Sequence, residues 1–437
     1  MKFFKFATYT LGCKVSQYES EALAEKLMDL GGVEVSFNQV ADAYVINTCT
    51  VTAESDAKSR KYIRRALRKN PEAIVAVMGC YSQRAPEEVA SIDGVSIVCG
   101  TADKMKLAPM IAKLLSEKEP APIVMTKSLD DEGFEPMCVT KPGRTRAYVK
   151  IEDGCECRCT YCAIADARGP VRSKPVSEVI AEVEALAKNG TREVVLTGIE
   201  TGSYGADFEE KYDLGDLIYE LDKRGSCERI RLGSLAPELI GERFIAKVRD
   251  TKILAPHFHL SMQSGSDDVL RRMKRRYNTD MALRNMGIIR EAFPNATFTT
   301  DLMVGFPGER DEDFENTLEF VKKARFLDCH VFAYSRRAGT PAATYENQVP
   351  EEIKRKRSEI LIAEKNKVRD DVLEEICLRG ELLPCVFETR DGNAWTAHSD
   401  TFAEVRVEFD QDIAGKLLMV KPDLARDGVI YGKIVFS

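Results

Sequence analysis

At 437 residues, 44% hydrophobic and 30% charged, the chain has the composition of a soluble globular protein with room for two or three domains. A formal net charge of −7 argues against a protein that simply coats nucleic acid, and no apolar run approaches membrane-spanning length. The amino terminus, Met-Lys-Phe-Phe-Lys-Phe, lacks the apolar core and cleavage site of a signal peptide. The expected location is therefore the cytoplasm, where thiols stay reduced and thirteen cysteines point to metal or redox use as well as to core packing.

Residues 1–115 alternate strand and helix: strand-like runs at 5–11, 43–47 and 73–78, an amphipathic helix at 20–30, a basic helix at 58–69 and another helix opening near Pro86. This is the pattern of an open, mostly parallel sheet. Cys13, Cys49 and Cys80 each follow one of the three strand-like runs. Strand C-termini of such a sheet share one edge, so three cysteines distant in sequence are expected to meet there. They are either small residues that happen to sit at strand ends or a three-cysteine iron–sulfur site with one open iron. Gly12, Asn47, Thr48 and Gly79 suit close backbone approach and hydrogen bonds to sulfide.

Charge is local despite the acidic total. Positions 58–69 carry seven basic residues, Lys58, Arg60, Lys61, Arg64, Arg65, Arg68 and Lys69, with Lys61, Arg65 and Arg68 on one helical face. Positions 271–276 (RRMKRR) carry five. Each is either a solvated surface or a contact for an RNA backbone.

Residues 116–143 read as a linker, with Pro120, Pro122, Pro136 and Pro142, an acidic patch at 130–132 and little periodicity. Six strand-like runs follow, at 146–152, 193–199, 229–235, 257–263, 297–306 and 328–335, with helical runs such as 176–188 and 311–325 between them. Six β/α units in series predict a partial barrel, open on one side, whose active face lies at the strand C-termini. Cys155, Cys159 and Cys162, spaced C-x3-C-x2-C, follow the first strand and so fall on that face. Three thiolates on so short a loop can hold three irons of a cubane cluster and leave the fourth open. A zinc site would need Cys157 as a fourth ligand, and four sulfurs within eight residues is tight for a tetrahedron. On the same face lie Thr197-Gly198-Ile199-Glu200, Ser234, Gln263-Ser264-Gly265-Ser266 and Val304-Gly305-Phe306-Pro307-Gly308-Glu309, a set suited to a polar cofactor. Residues 351–371 read as a charged connecting helix, and from about 376 short strands predict a small β-barrel holding Trp395.

The stretches TLGCKVSQYESEAL, VINTCTVT, VMGCYSQ, DGCECRCTYC, LTGIETGSYG, RIRLGSLAPE, HLSMQSGSDDVLRRM, DLMVGFPGE and HVFAYSRRAGTPAA resemble the radical S-adenosylmethionine methylthiotransferases over most of the chain. The first and last are most similar to the branch that modifies tRNA N6-threonylcarbamoyladenosine, just 3′ of the anticodon. The resemblance implies an α/β fold in three parts: an amino-terminal methylthiotransferase domain (1–115) with an auxiliary cluster, a radical-SAM partial (β/α)6 barrel with its connecting helix (144–372) after the linker 116–143, and a TRAM-like β-barrel (373–437). It implies two 4Fe-4S clusters and S-adenosylmethionine. Cys155, Cys159 and Cys162 would hold the cluster that binds S-adenosylmethionine, and Cys13, Cys49 and Cys80 the cluster that delivers an already methylated sulfur to C2 of the base. Tyr161, Gly198, Glu200, Ser234, Gln263 and Gly305 are the expected cofactor contacts, and Lys58, Arg60, Lys61, Arg64, Arg65 and Arg68 the expected RNA contacts. The implied partners are the tRNA anticodon stem-loop and a small electron-donor protein, with no membrane. The adenosine is expected to be splayed out of its stack toward the barrel mouth.

Three places depart from the family pattern. Glu156 stands where the family usually has Asn, Cys157 is an added thiol, and Ala165-Asp166 replaces a Pro-Tyr pair. The last domain, from Leu373, has twelve acidic and seven basic residues, a poor match for a phosphate backbone. Such a domain suits a protein target, docking against the other domains, or service through one basic face. The rival readings are methylthiolation of an aspartate in a ribosomal protein, methylthiolation of N6-isopentenyladenosine in tRNA, and a non-catalytic iron–sulfur protein for RNA binding or electron transfer.

Overall fold

The computed structural model describes residues 3–50, 52–117 and 122–436. Its amino-terminal part is a six-stranded, all-parallel sheet of β1 (Phe4–Thr10), β2 (Gly32–Glu34), β3 (Ala43–Thr48), β4 (Ile74–Gly79), β5 (Ile97–Cys99) and β6 (Ile123–Met125), in the order β2-β1-β3-β4-β5-β6. The strands are apolar on both faces because helices cover both. One layer packs Leu23, Leu27 and Ile111 against Val45 and Met78; the other packs Ile63 and Ala66 against Ile46 and Val77.

The stretch 116–143, expected to be a linker with little regular structure, is more ordered than its composition predicts. β6 completes the sheet, and Met137 and Val139 are buried in its core. Glu25 accepts the backbone N–H groups of Thr140 and Lys141, so the chain runs along the Lys14–Asp29 helix as a strap. Apolar residues scattered without period can still find a groove, a property that periodicity does not report. Pro120 lies outside the described residues.

The central part consists of β7 (Arg146–Lys150), the small β8–β9 pair (Glu152–Asp153 with Arg172–Ser173), β10 (Glu193–Thr197), β11 (Arg229–Leu232), β12 (Ser234–Leu235), β13 (His257–Gln263), β14 (Thr297–Val304) and β15 (Asp328–Ala333). The ladders run β11-β10-β7 and β12-β13-β14-β15, all parallel. β11 and β12 are one strand interrupted at Gly233, so the two ladders form the expected six-stranded open arc. Ala147, Val149, Val194, Leu196, Ile230, Phe258, Leu260 and Phe298 turn outward into the helix layer. The alternate positions therefore face the lumen, which is polar: Arg146, Glu193, Arg229, Arg231, His257, His259, Thr299, Asp301 and His330.

The connecting helix runs Glu351–Arg379, longer than the expected 351–371, so the small barrel starts later, at Leu383. Its strands β16 (Leu383–Asp391), β17 (Ala394–Ser399), β18 (Glu404–Glu408), β19 (Leu417–Arg426) and β20 (Val429–Val435) close in the order β16-β17-β18-β20-β19. This domain plugs the bottom of the arc, where the parallel strands begin. Arg231 donates to the Ser399 and Asp400 carbonyls at 2.9 and 3.0 Å, Arg229 donates to the Pro384 carbonyl at 2.8 Å, and Arg146 pairs with Glu388 at 3.1 Å. Phe402, held at φ +70°, stacks between His257 and His398 with the guanidinium groups of Arg146 and Arg231 over its ring. Docking against the other domains is thus what this acidic domain does in the fold.

Replacing Phe402 by Ala removes the ring at the centre of this contact and is expected to cost about 3 kcal/mol. Urea unfolding followed through Trp395, the single tryptophan, checks this. The midpoint of that signal should fall to lower urea; an unchanged midpoint means that the plug is held by its backbone contacts alone.

Candidate active site

β1, β3 and β4 are neighbours, and their register aligns Thr10 with Asn47 and Asn47 with Met78. Their C-terminal ends therefore carry Cys13, Cys49 and Cys80 to one edge of the sheet, where the sequence placed them. Cys13 precedes the Lys14–Asp29 helix, and Cys80 opens the Cys80–Arg84 helix. A Cβ on Gly12 would come within 3.3 Å of the Cys49 Cβ, and one on Gly79 (φ +104°) within 2.5 Å of Asn47 Oδ1. The two glycines allow the turns that carry Cys13, Cys49 and Cys80 to approach one another closely. Burial pushes the Cys80 thiol up to about 11, opposed by the guanidinium of Arg168, whose Nε lies 3.2 Å from Cys80 Sγ.

The barrel's cysteine loop leaves β8 through Gly154 and is tied at several points. Cys155 N–H donates to the Gly169 carbonyl at 3.0 Å. The Thr160 N–H and hydroxyl donate to the Met273 and Arg272 carbonyls at 3.1 and 2.9 Å, and Arg276 donates to the Glu156 carbonyl at 3.3 Å. Arg275 Nη1 lies 3.1 Å from Cys159 Sγ. The 271–276 segment, read from sequence as solvated surface or RNA contact, thus wraps the cysteine loop. Arg272 also bonds the Pro307 carbonyl and Asp313. Of its basic residues Arg271, Lys274 and Arg276 are exposed, Arg271 paired with Asp268.

Cys155, Cys157, Cys159 and Cys162 line a cavity of about 580 Å³ at the strand C-termini, within the range that takes a small-molecule cofactor. Its wall includes Tyr161, Ile199, Glu200, Ser261, Gln263 and Arg275; deeper in the lumen it includes Asp301, Met303, His330 and Phe332. Thr52 and Glu54, from the start of the basic helix, form its rim on the amino-terminal side. The extra thiol, Cys157, sits beside Cys155; the hydrogen bond from Cys155, with Arg275 and Arg276 nearby, brings it down to about 6.

The expected cofactor contacts separate into two sets. Tyr161, Glu200 and Gln263 line the cavity. Gln263 is held at φ +65°, a strained conformation for a residue with a side chain. Burial pushes the Glu200 carboxyl up to about 8, against the Ala236 N–H that donates to it at 2.8 Å. Gly198 admits Glu152, whose Oε2 would lie 2.4 Å from any Cβ there. Ser234 pairs with His259 in the ladder, and Gly305 (φ +72°) packs against the Lys354 side chain.

Of the expected RNA contacts, Lys58, Lys61, Arg64 and Arg68 are exposed. Arg60 bonds Tyr81 and Glu88, and Arg65 bonds Asn38 Oδ1, so these two are held within the domain.

Sequence reasoning missed the lumen's polar chain. Thr299 Oγ1 bonds His257 Nε2 and His259 Nδ1, each at 2.9 Å; Asp301 bonds His259 and His330, each at 3.3 Å. Burial opposes ionisation of Asp301, but the two histidines hold its carboxyl below the usual range. The period-two spacing of His257, His259, Thr299 and Asp301 was the available signal. Also missed was Arg337, which bonds Asp56 at 2.6 Å and Thr50 and so pins the Cys49 loop to the barrel.

Gly154 (φ +95°) would put a Cβ 1.8 Å from the Pro170 carbonyl oxygen. Gly154→Ala is therefore expected to displace the cysteine loop and lower stability by about 1–3 kcal/mol. Thermal unfolding against the wild-type chain measures it, and an unshifted transition removes the close approach as a constraint.

Among the described residues no three metal-ligating groups converge on one point. A cubane would take one cysteine per iron, so its protein ligands need not converge on a single metal position. Residues 149–321 match the Radical SAM superfamily, and residues 5–100 match the family described as Uncharacterized protein family UPF0004. The chain is 39% identical to threonylcarbamoyladenosine tRNA methylthiotransferase MtaB of Bacillus subtilis (strain 168), over 95% of this chain and 93% of that one. It is 32% identical to tRNA-2-methylthio-N(6)-dimethylallyladenosine synthase of Clostridium tetani, over 95% and 93%. Among solved structures, the radical S-adenosylmethionine methyltransferase TsrM from Kitasatospora setae shares the fold, with a TM-score of 0.57 at 16% identity, over 78% of this chain and 74% of that one. The superfamily implies a 4Fe-4S cluster and S-adenosylmethionine, and the cavity beside Cys155, Cys159 and Cys162 has the donors and the size for both. The chain belongs to the radical S-adenosylmethionine methylthiotransferase family, most similar to its threonylcarbamoyladenosine tRNA branch.

Proposed function

We propose that this protein adds a methylthio group to C2 of N6-threonylcarbamoyladenosine next to the anticodon of tRNA. The observation that carries the proposal is identity over most of the chain to proteins named for that reaction. Cys155, Cys159 and Cys162 would hold a 4Fe-4S cluster that, with S-adenosylmethionine, would supply one-electron chemistry at C2, and Cys13, Cys49 and Cys80 would hold a second that would supply the methylated sulfur.

The chain's own residues do the holding and shielding. Glu200, Gln263, Ser261 and Tyr161 offer polar partners around the cofactor cavity, and Met303 and Phe332 give it an apolar wall. The carboxy-terminal barrel closes the lumen from below and keeps water from entering behind a reacting base. Lys58, Lys61, Arg64 and Arg68 lie along the helix that begins at the cavity rim, where they meet the phosphates flanking a splayed adenosine. A small electron-carrier protein is the expected reductant, and the cytoplasm the expected location. Among the described residues no helix is long and apolar enough to cross a membrane.

Mass spectrometry of tRNA nucleosides from a strain lacking this chain tests the substrate. The methylthio form of N6-threonylcarbamoyladenosine should vanish while that of N6-isopentenyladenosine persists. Survival of the first mark sinks the proposal, and loss of the second instead moves the substrate to the other tRNA base.

The RNA face has its own test. Changing Lys61, Arg64 and Arg68 together to Ala should weaken anticodon stem-loop binding. It should also flatten the slope of log affinity against log salt by about 2–3, one counterion per lost phosphate contact. An unchanged slope would place the RNA elsewhere.

A further inference from the structure

Two arginines reach sulfur, one in each cysteine site. Arg275 Nη1 lies 3.1 Å from Cys159 Sγ, and Arg168 Nε lies 3.2 Å from Cys80 Sγ. Neither contact is incidental, because the other nitrogens of both side chains are committed elsewhere. Arg275 donates through Nε to the Tyr277 hydroxyl at 2.7 Å and through Nη2 to the Ser261 carbonyl at 2.9 Å, with its guanidinium over the Tyr277 ring. Arg168 is fully buried and donates through Nη1 and Nη2 to Glu19, and through Nη1 to Asp153. Each guanidinium is thus locked with one N–H aimed at a thiol.

The charge around Arg168 adds to this. Glu19, Asp153 and Glu135 are three carboxylates set against four cations, Arg168, Lys104, Lys150 and Arg172. Of these four cations, Arg168 is the one that touches Cys80 Sγ.

We propose that Arg275 and Arg168 are positioning residues that set the reduction potentials of the two clusters separately, each through a single hydrogen bond to a ligand sulfur. The proposal rests on the reading of the six cysteines as cluster ligands. An N–H directed at a coordinating sulfur draws negative charge off the cluster. It stabilises the reduced form, which carries one more electron, and so raises the potential; no proton or further reactant enters the balance. The two arginines come from different segments and touch different sulfurs, so the two potentials can be moved one at a time.

The test is a redox titration, followed by electron paramagnetic resonance, of the full-length chain reconstituted anaerobically with iron and sulfide. The cluster whose signal changes when S-adenosylmethionine is added is assigned to the barrel site. Arg275→Gln should lower the potential of that cluster alone by about 59 mV, a tenfold change in a one-electron equilibrium. Arg275→Lys, which keeps the charge and loses the planar fork, should produce a smaller shift. Arg168→Lys should lower the other cluster alone, and iron should stay near about eight per chain throughout. Unchanged potentials at full iron overturn the proposal, as does iron loss from a variant whose circular dichroism is native, since the arginine would then build the site and not tune it. Wild-type chain carrying 15N-arginine gives a measurement that no folding defect can spoil: hyperfine coupling to nitrogen is expected at both reduced clusters, and its absence at either overturns that half. The ligand reading fails separately. Replacing Cys155, Cys159 and Cys162 by Ala, or Cys13, Cys49 and Cys80 by Ala, should each leave about four irons, and an unchanged count sinks that reading whatever the potentials do.

Discussion

The contact on which the rest of the structure depends is the fully buried pairing of Glu19 with Arg168. Glu19 belongs to the helix after Cys13, and Arg168 ends the short helix after the barrel's cysteine loop. Lys104 and Lys150 also reach Glu19, and Asp153 shares Arg168 and Lys150. Burying so many charges gains little net stability, because desolvation offsets most of the attraction. What it gains is register: any sliding of one domain over the other leaves a charge unpaired in a dry interior, at a cost of several kcal/mol. A hydrophobic interface tolerates a small slip, and this one does not. In the proposed reading, two cysteine sites that act on one substrate atom would need that intolerance.

The lumen shows the same preference for direction over bulk. Its floor is made by arginines donating to carbonyl oxygens of the small barrel, with Phe402 as the single aromatic wedge. Glu193 sits under Arg229 and Arg231 at 3.1 and 2.7 Å, so the cations that hold the floor are already neutralised. Of the last domain's acidic side chains, Glu388 meets the floor directly, through Arg146.

Much of this was legible in the sequence because it depends on local order. Cysteines placed just after strands must share an edge once the sheet is parallel, and the register of Thr10, Asn47 and Met78 delivers that. Six strand–helix units in series imply the arc without knowledge of any contact. What was not legible depends on partners far away in the chain. Arg275 and Arg271 are equally basic in sequence; one faces a sulfur and the other solvent because the short Asp267–Arg272 helix ends between them. Gly198 looks like a cofactor glycine, yet the atom that crowds it belongs to Glu152 on the neighbouring strand. Ser234 and Gly305 sit at strand ends, and that position alone does not say which side of a turn faces the cavity.

The amino-terminal domain links the cavity to the proposed RNA face by simple length. The Ala53–Lys69 helix starts at the cavity rim with Thr52 and Glu54 and carries its exposed cations outward from there. From Glu54 to Arg68 it rises about 21 Å, enough to follow several nucleotides of a single strand. Arg60 and Arg65 pin this helix to its neighbours, through Tyr81 and Glu88 on the two short helices that follow Gly79 and through Asn38 on the loop before β3. The exposed basic residues are thus carried on a rigid element and not on a loop. A base that enters the cavity in the proposed reading leaves its neighbouring phosphates along this helix. The helix that follows the Cys49 loop would then set how far the adenine reaches toward both cysteine sites. The pairing of Arg337 with Asp56 and Thr50 ties the base of that helix to the barrel, so in that reading one set of contacts would fix both substrate depth and the spacing of the two sites.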